Sequence, residues 1–72
     1  MLRLRVKEVA IEKGFNMSSL SRASDISFKT VKKLFREPFS DVNISTLDKL
    51  ALAMQVEIHD LLERVPDTDE KV

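Results

Sequence analysis

The stretch Ser24-Asp25-Ile26-Ser27-Phe28-Lys29-Thr30-Val31-Lys32-Lys33-Leu34-Phe35-Arg36-Glu37 carries four basic side chains and no carboxylate between Lys29 and Arg36. Ser27 is of the type that caps a helix N-terminus. Pro38 ends the segment, because the residue before a proline avoids the helical region. The segment between them is therefore read as a helix from about Phe28 to Arg36. Placing residues about 100° apart with Phe28 at zero puts Val31, Leu34 and Phe35 near 300°, 240° and 340°. Lys29, Lys32, Lys33 and Arg36 fall at about 100°, 40°, 140° and 80°, with Thr30 between the arcs near 200°. One face packs and the other is cationic. Like charges at helical spacing repel by a few tenths of a kcal/mol per pair. A polyanion reverses the sign of that interaction. The major groove of duplex DNA, about 12 Å wide, admits one helix. The face is accordingly read as a DNA-facing surface, against the plainer alternative of a solvated basic face.

Working outward, the charge pattern of the whole chain agrees. The formal net charge is zero. Residues 1–36 nevertheless hold nine Lys/Arg against three Asp/Glu, and residues 37–72 hold three against nine. Such an asymmetry points to a polyanionic partner for the basic half, and leaves the acidic half able to meet a protein partner.

The flanking segments read as helices too. Val6, Val9, Ala10 and Ile11 suit the inner side of a first helix from about Leu4 to Lys13, with Gly14 at a left-handed C-terminal position. Asn16 is an N-cap for a short helix Met17–Ser24. Asp25 interrupts it, and the tight join to the next helix is the helix-turn-helix signal. After the loop Pro38–Asn43, Asn43 or Ser45 caps a helix Ile44–Met54, whose Ile44, Leu47, Leu50, Ala51 and Met54 form an apolar stripe. A fifth short helix, "IHDLLER", ends before Pro66. Period-two alternation is confined to the first six residues, and no hairpin dipeptide occurs. The expected fold is all-α: one domain over 1–65, and an acidic, flexible tail over 66–72. Leu20, Ala23, Ile26, Leu47, Leu50 and Ala51 are expected in its core.

At 72 residues without cysteine the chain is short of stabilising devices. A domain this size buries roughly 60% of the surface its unfolded chain exposes. Helix packing or a second subunit must supply the stability. No run approaches the roughly 18 to 20 apolar residues of a membrane helix, so no membrane association and a cytoplasmic location are expected. The only His, His59, lacks clustered carboxylates, and the only Gly makes no phosphate loop. No metal, cofactor or enzymatic activity is expected.

From Leu4 to Leu62 the sequence resembles the lambda-repressor-like helix-turn-helix family, also called the Cro/CI or xenobiotic-response-element family. The resemblance rests on "EKGFNMSSLSRASDIS", "KTVKKLF", "NISTLDKLALAM" and "VEIHDLLE", in family order and spacing. It implies a compact five-helix domain and a transcriptional regulator of a prokaryote or phage; a repressor is expected from the lack of any extra activating segment. It implies that Ser27 through Lys33 enter the major groove, with Phe28, Lys29, Lys32 and Lys33 facing bases. Thr30, Ser40 and Asn43 would lie near phosphates, Asn16 and Met17 against the backbone, and Arg36 and Arg5 would add phosphate contacts. It also implies homodimerisation on DNA, to which Phe39, Val42, Ile58, Leu61, Leu62 and Val65 could contribute where they are not core. The alternative function is a protein-interaction module, such as the antitoxin of a toxin–antitoxin pair, using the acidic C-terminal half.

Departures from the family pattern matter. Met17 stands where a phosphate-donating Gln is common, and Asp25 where Gly is usual. A buried Arg–Glu pair of many relatives is matched here by Ala10 and Phe35. Phe28 replaces a polar base-reader, and either touches a thymine methyl or turns into the core beside Val31.

Overall fold

Three helices end on a residue with positive φ, but only the first does so with glycine. In the computed structural model, which describes residues 1–66, helix α1 (Val6–Glu12) stops at Gly14, φ 85°. The Phe15 amide then bonds the Ala10 carbonyl at 2.8 Å and the Gly14 amide bonds Ile11 at 3.1 Å, the paired closure of a Schellman turn. Helix α2 (Met17–Ser24) ends on Asp25, φ 61°, and helix α4 (Ile44–Met54) on Gln55, φ 59°. The left-handed region disfavours a Cβ. Asp tolerates it better than most residues, so the turn before helix α3 (Phe28–Arg36) forms without glycine.

The bounds of α2, α3 and α4 are those expected from the sequence. The chain ends differ. Leu2–Leu4 forms a strand, β1, so that α1 opens at Val6 and not near Leu4, and Leu62–Arg64 forms a second strand, β2, instead of closing a fifth helix. A single 3-10 turn, Ile58–Leu61, leads into β2. The two strands pair antiparallel, with Leu2 opposite Arg64, Arg3 opposite Glu63 and Leu4 opposite Leu62. Among the described residues the fold is thus four α-helices, one 3-10 turn and a two-stranded sheet, not five helices and not strictly all-α.

Long-range bonds fix this arrangement. The Leu4 amide donates to the Pro38 carbonyl at 2.6 Å, and the Arg5 amide to Leu61 at 2.8 Å. Arg3 bridges two acids: its guanidinium bonds Glu63 across the sheet at 3.1 Å and also Glu8 on α1. Burial pushes the Glu8 carboxyl up. The Arg3 hydrogen bond, a backbone hydrogen bond and the charges of Arg3 and Arg5 outweigh it, so Glu8 sits below its ordinary value of 4.5.

The core is one cluster drawn from every helix and both chain ends. Leu20, Val31, Leu50, Met54 and Leu61 are at most 2% exposed. Burying such a side chain contributes about 1.5–3 kcal/mol. Ala10 is fully buried, and Phe35 packs against the cluster, so the α1–α3 contact is apolar. Three residues expected inside are outside. Ala23 is exposed because Ser24, four residues after Leu20, takes the inner position and bonds the Leu20 carbonyl at 2.6 Å. Ile11 is exposed because α1 packs through Val6, Val9 and Ala10. Ile44 opens α4 one turn before Leu47 and stays 69% exposed. The expected acidic tail falls, but for Pro66, outside the described residues. Among the described residues no helix is long and apolar enough to cross a membrane.

Candidate DNA interface

The α2–α3 unit is built from local signals. Asn16 caps α2 by accepting from the Ser19 amide at 2.8 Å, and the Ser19 hydroxyl accepts from the Asn16 amide at 2.9 Å, a reciprocal capping box. The Ser21 hydroxyl holds the Ile26 carbonyl at 2.6 Å, which sets the turn. Ser27 then caps α3, accepting from the Thr30 amide at 3.2 Å and donating to the Thr30 hydroxyl at 3.0 Å. Ile26, Val31 and Leu34 are buried, so α3 is anchored by one face and presents the other.

That outward face is cationic. Lys29, Lys32, Lys33 and Arg36 are all exposed. Among the described residues none of them is engaged in an ion pair. With Thr30 and Glu37 they line an open depression of about 550 Å³. A second hollow of about 330 Å³ adjoins it through Thr30 and Lys33. Asn43 and Thr46 from the start of α4 line it, as does Asp41. Phe28 is 45% exposed, at the first position of α3, and does not enter the core.

Other residues expected at the interface have partners elsewhere. Arg5 lines neither hollow. Its guanidinium donates to the Asp60 carbonyl at 3.2 Å, tying α1 to the 3-10 turn. Met17 packs partly buried against the core, so its thioether braces α2. The Ser40 hydroxyl donates to the Glu37 carbonyl at 2.9 Å. The Asn16 side-chain oxygen is committed to its cap, and Asn43 makes no side-chain cap bond. Sequence reasoning gave Thr46 no role, although its place three residues after Asn43 puts both on one side of the first turn of α4. Glu37 was also passed over; it is the acid that closes the basic run and it borders the first depression.

The residues considered for a dimer contact divide. Leu61 is completely buried within one chain and has no area to give to a second. Ile58 is half-buried and packs on the core. Phe39, Val42 and Leu62 line an open apolar groove of about 470 Å³ together with Leu2, Leu4, Ile44 and Leu47. Val65 is half-buried at the end of the sheet, where its amide bonds the Met1 carbonyl at 2.9 Å.

An anchored helix with a free cationic face, held by a three-residue turn to the helix before it, is what a major-groove reader requires. Comparison with known proteins agrees. The chain is similar to the SPbeta prophage-derived uncharacterized HTH-type transcriptional regulator YopO of Bacillus subtilis (strain 168), with 29% identity over 59 residues, covering 82% of this chain and 83% of that one. The profile of the Cro/C1-type HTH DNA-binding domain matches residues 5–67. The chain belongs to the Cro/C1-type helix-turn-helix DNA-binding family.

Proposed function

We propose that this protein is a sequence-specific repressor that binds double-stranded DNA as a homodimer and reads the major groove with α3. The observation that carries the reading is the set of four cations on the exposed face of a capped helix-turn-helix, with no carboxylate partner among the described residues. Facing a duplex, those cations displace condensed counterions, and affinity follows salt steeply. Thr30 and Asn43, at the helix starts that line the second hollow, are suited to adjacent phosphates. Occupying a promoter is enough to block it, so repression asks nothing more of so small a surface.

The groove at Phe39, Val42 and Leu62 supports self-association. Phe39 is 55% exposed, and exposed apolar surface of this kind favours a protein contact. A two-fold pair would present its recognition helices to half-sites about 34 Å apart.

Selection of random duplex DNA by the purified protein, followed by titration at two salt concentrations, tests this. The expected result is an enriched palindrome with half-sites one helical turn apart. Weak binding of equal strength on every sequence, lost with salt, would leave the cationic helix only a steering surface and refute sequence-specific regulation.

A further inference from the structure

The start of α3 offers few groups that can discriminate bases. The Ser27 and Thr30 hydroxyls bond each other at 3.0 Å, and Ser27 also accepts from the Thr30 amide. The lysines are strongly hydrated point charges on flexible stems, which serve affinity better than sequence readout. Phe28 differs from all of them. It is stiff, has no donor or acceptor, and stands 45% exposed at the first helical position, where recognition helices meet base edges. The apolar arc of α3 is already filled by Val31, Leu34 and Phe35, so no core site competes for its ring.

We propose that Phe28 is a specificity-determining residue that reads the C5 methyl group of a thymine in each half-site. The inference rests on the major-groove reading above and names what that groove must display. Among the major-groove edges of the four bases, only thymine carries an apolar group. Against a base amine or carbonyl, the ring would strip water and return no hydrogen bond, which disfavours those bases. Lys32, one turn on and about 40° round the helix, and Lys29, at about 100°, both lie to the cationic side of Phe28, on the face turned to a polyanion. Phe28 thus selects by contact and by exclusion, while its charged neighbours supply the sequence-independent attraction.

The test replaces each thymine of the selected duplex, one at a time, by deoxyuridine, which deletes a single methyl group. With the native protein, one position per half-site should lose about fourfold in affinity, the value of one buried methyl group. With Phe28→Ala the same replacement should cost nothing further, and the ratio of affinities between the selected site and unrelated duplex should fall. Phe28→Leu, which keeps an apolar side chain, should retain part of the effect. A thermal melt checks that each variant folds. A selected site without thymine, deoxyuridine replacements without effect on the native protein, or an effect that persists in Phe28→Ala would each overturn the proposal while leaving sequence-specific binding intact. Failure to enrich any sequence would overturn both this inference and the reading beneath it.

Discussion

Helix α3 and the sheet formed by β1 and β2 are both short amphipathic elements, but they are specified over very different distances. Every signal that makes α3 lies within a dozen residues: the Ser27 cap, the apolar arc of Val31, Leu34 and Phe35, and Pro38 beyond its end. The sheet joins residues about sixty positions apart, Arg3 to Glu63 and Leu4 to Leu62. Three-residue strands have no stability of their own. They form because α1, α4 and the 3-10 turn bring the chain ends together over Leu61. The interface is therefore locally encoded, and the frame that orients it is encoded globally.

Breaking the frame should have the largest effect. Leu61→Ala removes a fully buried side chain at the entry to β2. It should cost about 2–5 kcal/mol of stability, read from urea midpoints, with DNA affinity lost only as the protein unfolds. Breaking the interface should do the reverse. Lys33→Ala should leave the melting temperature unchanged and cost about 1–3 kcal/mol on the selected site if Lys33 meets a base. If it meets only phosphate, the loss should be equal on all sequences and the salt slope should fall by about one.

The local code itself can be sharpened by Ser27→Ala, which deletes the cap of α3. A loss of about 1 kcal/mol is expected, with hydrogen exchange rising first at the α3 amides. The smallest effect belongs to the Arg3 clasp between the sheet and α1. The lowered Glu8 carboxyl contributes stability that is full above its ordinary value of 4.5 and is lost as pH falls through its lower folded value. In Arg3→Met that contribution should be reduced. The stability difference from the native protein should be constant near neutral pH and shrink below 4.5, as followed by urea melts across an acid series.

Several features were legible for identifiable reasons. The α2 and α3 bounds follow from Asn16, Ser27 and Pro38, residues whose side chains or ring act on backbone within a turn, and α4 follows from its apolar stripe. The apolar replacement of the α1–α3 ion pair followed from Ala10 and Phe35. The chain ends were misread because their patterns are ambiguous at short length. In "MLRLRV" the alternation was visible, but six residues of it also fit the approach to a helix. In "IHDLLER" the neighbours Leu61 and Leu62 suit one helical face, yet on leaving the 3-10 turn they diverge, Leu61 into the core and Leu62 toward the groove. Ala23 shows the same limit within a correctly placed helix, since hydrophobicity favoured it while geometry gave the inner position to Ser24.

Sequence alone determined the helix-turn-helix, its caps and the separation of cationic from apolar side chains on α3. Each of these depends on dihedral preferences and spacings that act within a few residues. Tertiary structure decided that the two chain ends pair as a sheet, that Arg5 serves the 3-10 turn and lines neither hollow, that Leu61 belongs wholly to the core, and that Phe28 faces outward. Those outcomes depend on which surfaces other elements have already covered. In a domain this small one buried leucine or one long-range hydrogen bond is enough to settle them.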